Sequence, residues 1–377
     1  MKKKIAIIGS GVAGLTLANL LKTNPNFEFI IYEKEDVLNL NEGFGVQLSV
    51  NSVSILNKIN FDQLDINEMY SPLKLDFYSA DFNKICDLDL TVFNSTKEKY
   101  TTLPRSTLIK FLKKKLLSNS IIFRKKISKV NKINEKINIY FDDGSTDEVD
   151  YLIVADGIFS KTKSIIENKI LEPIYYKAIA IRTLIQNKNI TNYNTSNITL
   201  VMCSDAHLVI YPINQKKDLN LICVIRKKLK SSKDIKKILE NTIFKENKNL
   251  HNLFAGELKM WPIYTSNNPI QSVYKNVLYI GDAFYTFPPT MAQGASQAIE
   301  SANEIFNLIN NNHHCNIKNI YFQNRLNKTN LIKRRSNFNY FIFHISNPIL
   351  KIFRNVILKI LVKNKKFINS YLGKVYK

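Results

Sequence analysis

The 377-residue chain is 45% apolar, enough to bury a substantial core, and its 54 basic and 31 acidic residues leave a net charge of +23. The surplus is local: no Asp or Glu follows Glu304, while residues 305–377 hold fourteen Lys and Arg, which indicates one basic surface rather than a nucleic-acid binder, and no recognition module accompanies it. Cys86, Cys203, Cys223 and Cys315 form no Cys-x-x-Cys pair, no secretory core opens the chain, and no apolar run is long enough for a bilayer, so a reduced, cytoplasmic protein is expected.

Taken in order, Ile5 to Ile8 read as a short buried parallel strand ending in glycine. Gly9, Gly11 and Gly14 follow, then helical Leu15 to Leu21, then a second strand over 27–33 that closes on Glu33. This is a βαβ unit with the spacing of a dinucleotide-binding turn. Gly9 permits the tight turn, Gly11 lets the backbone approach a pyrophosphate, and Gly14 lets the helix pack closely on the strand. Glu33, nineteen residues after Gly14, can accept from both ribose hydroxyls and would repel a 2′-phosphate. FAD or NAD suits such a site better than NADP.

Residues 103–117 read as a helix containing Arg105. Strands follow near 121–130 and 136–141, with a turn at Asp142 to Gly144, and a buried strand from Tyr151 ends at Asp156 and Gly157. From 178 to 262 the pattern is mostly strand, broken by a helical stretch near 232–245. Val277 to Ile280 form another buried strand, closing on Gly281 and Asp282, and a helix follows over 293–309. The remainder is helical, basic and asparagine-rich. Strand–glycine junctions near 9, 156 and 281, with β-rich blocks between them, predict an α/β protein whose nucleotide-binding domain is discontinuous. The expected division is 1–72, 98–177 and 263–312 for a Rossmann-like domain, 73–97 and 178–262 for an inserted, mostly antiparallel substrate sheet, and 313–377 for a basic helical segment.

Three segments together resemble the p-hydroxybenzoate hydroxylase superfamily of flavoprotein monooxygenases: the glycine turn, the Asp156-Gly157 motif running to Lys163, and Gly281-Asp282 running through Pro288 to Gln293, Gly294 and Ala295. Shorter stretches extend the resemblance over nearly the whole chain: Gly43 to Asn51, Leu103 to Leu108, His207 to Pro212, Trp261-Pro262, Tyr321 to Arg325, Arg334 to Ser336 and Phe343-His344. Several of these are similar to the salicylate and 3-hydroxybenzoate hydroxylase branch.

The resemblance implies FAD as cofactor. It implies that Asp282 holds ribityl hydroxyls, that Arg105 meets the ribityl–phosphate region, and that Asp156 and Gly157 contact FAD phosphate. Gln293, Gly294 and Ala295 would offer N–H groups to the flavin pyrimidine edge. Pro288 would lie against the flavin face and limit the position of the substrate ring. Val12, Ala13, Lys34, Gly45, Gln47 and Val130 complete the implied cofactor set, with no metal. Two departures stand out: Phe284 and Tyr285 replace the family's Ala-His, and Lys163 replaces its arginine, keeping the charge without the planar fork.

The activity implied is hydroxylation of a small phenol or aromatic acid, with NAD(P)H reducing the flavin and O2 forming a C4a-hydroperoxide. His207 is the candidate base; a histidine bonded only within the sheet is the competing reading. Arg182 and Tyr211 are candidates for binding a substrate carboxylate or lining the pocket, although a strand-end arginine is more often a solvated charge. Two other functions remain open: a dehydrogenase or reductase acting on a lipid or isoprenoid, and a membrane-associated flavin-binding protein without turnover. His313 and His314 read as surface residues, and Cys203 and Cys223 as core thiols.

From Pro348 to Val362 apolar and basic residues alternate at helical spacing. Such a helix is expected to pack its apolar face on the FAD domain or on a partner subunit, as in a homodimer. A peripheral seat on the inner membrane face is the alternative.

Overall fold

The computed structural model describes residues 2–38, 40, 44–185, 194–227, 234–311 and 316–376. Gly43, His313, His314 and Cys315 lie outside these residues.

The chain opens with β1 (Lys3–Ile8), α1 (Val12–Leu21), β2 (Phe27–Tyr32), β3 (Gly45–Leu48) and α2 (Val50–Asn57). Next come β4 (Lys74–Ser79), β5 (Lys84–Asp89), β6 (Thr101–Pro104), α3 (Arg105–Lys114), β7 (Ile121–Ile122), β8 (Ile127–Ile133), β9 (Lys136–Phe141), β10 (Thr146–Val149), β11 (Tyr151–Val154) and α4 (Lys161–Ile166). The middle of the chain holds β12 (Ile174–Ile185), β13 (Ile198–Cys203), β14 (Ala206–Pro212), β15 (Leu219–Arg226), α5 (Ile235–Asn241), α6 (Ile243–Glu246) and β16 (Lys259–Thr265). The last part is β17 (Val277–Tyr279), α7 (Gly294–Asn310), α8 (Ile317–Phe343), α9 (Pro348–Leu361) and α10 (Lys365–Ile368).

Two sheets organise the molecule. The first is five-stranded in the order β17-β11-β1-β2-β7, and every pairing in it is parallel. Parallel strands covered on both faces must be apolar throughout, and Ile5 to Ile8 and Leu152 to Val154 are accordingly buried. Ile8 pairs with both Tyr32 and Val154, and Val154 pairs with Tyr279. The register brings the C-terminal ends of three neighbouring strands to one edge. The strand–glycine junctions at 9, 156 and 281, far apart in sequence, therefore share one crevice, the usual ligand position in such a sheet.

The second sheet has seven strands, β16-β12-β15-β14-β13-β4-β5, antiparallel except for the β13–β4 pair. Alternation along β14 sends Leu208 and Ile210 to a core shared with α5 and α6, and His207, Val209 and Tyr211 to the opposite face. The two sheets meet at β3. The Gly45 N–H donates to Asn220 Oδ1 of β15 at 2.9 Å, and a Cβ on Gly45 would lie 2.9 Å from Ile213. Only glycine allows the backbone this close.

The helix containing Arg105 begins at Arg105 itself, because residues 101–104 form β6 and pair with β3. The arrangement of α9 departs from one half of the expectation from sequence, packing of its apolar face on the FAD domain. Its apolar face, Ile349, Ile352, Phe353, Val356, Ile357 and Ile360, is exposed. The other side packs inward: Lys351 donates to Ser204 Oγ at 2.9 Å, Arg354 is buried and reaches the Ile342 carbonyl, and Leu358 joins the substrate-sheet core. Buried Arg354, half-buried Lys351 and a β-sheet edge dictate which way the helix turns, and helical periodicity alone carries no such information. Among the described residues, no helix is long and apolar enough to cross a membrane.

Candidate active site

At the first junction Gly9 has φ +102°, and a Cβ there would lie 2.6 Å from the Ala155 carbonyl oxygen. A Cβ on Gly14 would lie 2.1 Å from the carbonyl oxygen of Gly9. Both glycines are therefore demanded by the protein's own packing. Gly11 is different, since a Cβ there would meet nothing, and the same holds for Gly157 and Gly294. Open glycines at one crevice fit a ligand whose backbone partners must come close. The N-terminus of α1 carries no side-chain cap, which leaves its N–H groups for an anion.

Glu33 stands beside this turn. Its Oε2 accepts from the Ser10 N–H at 2.9 Å and from Ser10 Oγ at 2.5 Å, fixing the carboxylate over the strand end. Val12 is half-buried, and Ala13 is buried against Gly281: a Cβ on Gly281, whose φ is +57°, would come within 2.9 Å of the Ala13 Cβ. Lys34 is exposed and pairs with Glu35 at 3.7 Å. Val130 is buried in the core, so only its backbone can face a ligand.

The two acids of the later junctions behave alike. Asp156 has one buried oxygen without a partner, while the other accepts from the Thr162 N–H at 3.4 Å; desolvation raises its carboxyl above the ordinary range. Asp282 opens onto the crevice, yet the protein crowding around it desolvates the carboxyl and raises it to about 6. Carboxylates in this condition are short of hydrogen-bond donors, which a polyol chain supplies.

The loop after Asp282 is held in a strained form. Ala292 has φ +52°, a left-handed conformation for a residue with a side chain. Gln293 is buried with its Nε2 lacking a partner, and α7 starts behind it without a side-chain cap. Gly294 and Ala295 thus present the open N-terminus of a 17-residue helix. Pro288 is buried at the start of the loop, and Pro289 to Ala292, one step further on, form the cavity wall. Thr290 anchors this wall to α8, donating from Oγ1 to the Ser336 carbonyl at 2.7 Å. Arg105 sits in the first turn of α3, where the helix dipole disfavours a cation, and its N–H donates to the Phe44 carbonyl at 2.9 Å. These residues fit FAD: a nucleotide turn at one end, acids for the polyol in the middle, and helix N–H groups where a ring edge would lie.

The departures from the family pattern have structural roles. Phe284 packs edge-on against Tyr321 and Phe322 of α8, and Lys333 lies over the Tyr285 ring. Lys163 bonds the Ala283 carbonyl.

Beside the loop lies a cavity of about 350 Å³. Its walls are mostly apolar: Leu200, Ile222, Val224, Phe338 and Ile342, with Leu358, Val362 and Leu372 from the C-terminal helices. Its polar groups are few. Gln47 accepts from the Tyr100 hydroxyl at 2.7 Å and lies within hydrogen-bond reach of Tyr211, so the two phenols share one amide. Burial raises the Tyr211 hydroxyl, and both phenols stay neutral.

Arg182 faces the same space. It is stacked over Trp261 at 5.5 Å, and its Nε is buried without a partner. Desolvation first, and then nearby Arg105, lowers its affinity for a proton, with Tyr211 opposing. Among the described residues no carboxylate forms an ion pair with Arg182. Of the two readings the sequence left for Arg182, pocket lining and solvated strand-end charge, the structure places it inside β12 as a cation facing a mostly apolar cavity. His207 also lines the cavity, but its Nδ1 lies 2.6 Å from His344 Nε2, and burial lowers it to about 3. The two rings pack at 4.9 Å, with Phe343 edge-on to His207. His207 and Tyr211, four residues apart on a strand, are separated by about 14 Å. Tyr211 marks the end next to β3, and His207 the end next to the tip of α8. His344 and the Trp261 platform carry no cue to these roles in the sequence; each role depends on a partner on another strand or helix.

Residues 2–311 match the family model described as "FAD binding domain". Among similar proteins, 6-hydroxynicotinate 3-monooxygenase of Bordetella bronchiseptica is 24% identical, over 92% of this chain and 94% of that protein. 3-Amino-4-hydroxybenzoate 2-monooxygenase of Streptomyces cremeus is 23% identical, over 79% and 76% respectively. Klebsiella pneumoniae HpxO, solved with FAD and uric acid, superposes with a TM-score of 0.84 at 17% identity, covering 99% of this chain and 96% of that one. A salicylate hydroxylase substrate complex gives 0.81 at 19%, covering 100% and 97%. With the glycine turn, the paired acids and the helix terminus gathered at one crevice, the chain belongs to the FAD-binding monooxygenase family and is an FAD-dependent monooxygenase of the aromatic-hydroxylase type.

Proposed function

We propose that the protein hydroxylates a small planar aromatic acid, using NAD(P)H and O2, with the substrate's anionic group on Arg182. One observation carries this: a half-buried guanidinium, stacked on Trp261 and with its Nε buried and unpartnered, faces a mostly apolar cavity of about 350 Å³. An uncompensated buried cation is costly, and an anionic ligand offsets that cost. The cavity is at the small end of ligand-site volumes and suits one ring with short substituents. The names of similar proteins point the same way, since 6-hydroxynicotinate, 3-amino-4-hydroxybenzoate and salicylate are all ring carboxylates.

When bound, FAD supplies the redox chemistry and the activation of O2. The chain's own residues do the rest. Asp282 and Asp156 would accept hydrogen bonds from the bound cofactor. The uncapped N–H groups opening α7 would stabilise negative charge on a bound flavin ring. Tyr211, held neutral and oriented by the amide it shares with Tyr100, can donate a hydrogen bond to the substrate. His207 enters the reaction as a neutral imidazole with its Nδ1 engaged by His344 Nε2. Apolar walls keep water from the reacting centre.

The loop departures no longer favour a flavin binder without turnover, because Phe284, Tyr285 and Lys163 serve packing. The test is substrate-dependent NAD(P)H oxidation by FAD-loaded protein across a panel of aromatic acids and neutral phenols, with labelled O2. Label in a ring hydroxyl of an aromatic acid is the expected result. Hydrogen peroxide as the sole oxygen product across the panel, or labelling of neutral phenols only, would refute this reading.

A further inference from the structure

The exposed face of α9 is an unusual surface. Ile352 is 65% exposed, Phe353 61% and Ile360 63%, and Ile349, Val356 and Ile357 continue the stripe. Helical spacing puts these residues on one side, opposite Lys351, Arg354 and Leu358, which pack inward. Exposed Lys359 and Lys363 border the stripe, and exposed Lys365 and Lys366 follow its end. No acid lies anywhere in residues 305–377 to neutralise them. The apolar stripe continues no core of this chain, since the helix already has its inner contacts.

We propose that α9 seats the protein on an anionic bilayer surface, its apolar stripe entering the interface and its lysines meeting lipid phosphates. An apolar face with lysines at its edge and end is what interfacial binding requires, and the lack of acids supplies the complementary charge. A second copy of the chain is the poorer occupant, because a self-complementary contact through this face would set one acid-free lysine cluster against its duplicate. The inner side of the same helix contributes Leu358, Leu361 and Val362 to the cavity wall, and the exposed Phe338 lines the cavity too. Docking through α9 therefore places the cavity about one helix diameter, roughly 10 Å, from the headgroups. This goes beyond the hydroxylation proposed above and does not depend on it.

The test is co-flotation of full-length, FAD-loaded protein with vesicles of phosphatidylcholine alone or mixed with phosphatidylglycerol, alongside sedimentation without lipid. Binding to the anionic vesicles, weakened by salt and much weaker on phosphatidylcholine, is expected. Phe353→Glu with Ile357→Glu should lower vesicle binding more than tenfold while leaving the melting temperature and flavin content unchanged, since both positions are exposed. Lys363→Gln and Lys365→Gln should each lower it about fivefold. Failure of the wild-type chain to float with anionic vesicles would overturn the proposal, as would wild-type flotation by the Phe353→Glu, Ile357→Glu variant. A lipid-free dimer that this variant converts to monomer, and that anionic vesicles do not dissociate, would assign the face to a second copy instead.

Discussion

Lys163 Nζ donates to the main-chain carbonyl of Ala283 at 2.8 Å, joining the Asp156-Gly157 segment to the Gly281-Asp282 loop across 120 residues of sequence. The ammonium also lies over the Tyr279 ring. A charged donor to a partly buried carbonyl contributes about 1.5–3 kcal/mol. Lys163→Met should therefore loosen the cofactor loop and weaken FAD binding by at least about tenfold, read from flavin fluorescence on titrating apoprotein. Unchanged affinity would mean the two segments hold their positions without this joint.

Asp282 gives a pH dependence of definite sign. Its value in the folded chain is raised from 3.8 to about 6 by desolvation. With Asp282 proposed to accept ribityl hydroxyls in its ionised form, FAD affinity should be full above pH 6 and decline below it. The stability of the apoprotein runs the opposite way: the contribution of this carboxyl is complete below about pH 4 and is lost as pH rises through about 6. Asp282→Asn should flatten both trends, and Asp282→Ala should yield protein without yellow flavin. Full FAD occupancy in Asp282→Ala would remove the aspartate from the cofactor site.

Arg182 sets function against stability. Arg182→Met keeps most of the side-chain length over Trp261 and removes a buried charge without an ion partner. The expected outcome is a rise in KM for an aromatic acid of about 10- to 100-fold, little change for a neutral phenol, and a melting temperature higher by a few degrees. Equal losses on both substrates would mean that the arginine shapes the cavity without reading charge.

His207 is testable through its partner. Replacement by alanine leaves His344 buried without it and should destabilise the fold by about 1–3 kcal/mol. The folded-state value of His207, lowered to about 3, makes its contribution to stability complete above pH 6.5 and lost as pH falls toward 3. Thermal melts between pH 7 and pH 5 should show a decline that is smaller in His207→Ala. If His207 also serves as base, hydroxylation slows more than flavin reduction in single-turnover measurements; equal rates would leave it a structural histidine.

The cofactor half of the site was legible because its constraints are local. A glycine that must adopt φ +102°, or an acid at the end of an all-apolar strand, leaves its mark in a few consecutive residues. The substrate half is written across strands. Ala206 to Pro212 is apolar nearly throughout, so alternation puts His207, Val209 and Tyr211 on one face but nothing in the segment shows which face meets the cavity. Pairing of Tyr211 with Asn220 and of Arg182 with Ile222 settles that face. For α9 the period was visible and the inward side was not, because Lys351 and Arg354 find their partners on other elements.

The five-stranded sheet also imposes an order in time. Its central strand, β1, is made first, but its neighbour β11 emerges nearly 150 residues later and β17 about 270 residues later. At about 5–20 residues per second, the ribosome takes roughly 15–55 s to deliver the last of the three junctions. Until β11 emerges the apolar strand beginning at Lys3 has an open edge, and until β17 emerges β11 has one and the crevice lacks its third junction. The nascent chain is most exposed to aggregation in that interval, and a truncation before Tyr279 should give insoluble protein rather than a smaller flavoprotein.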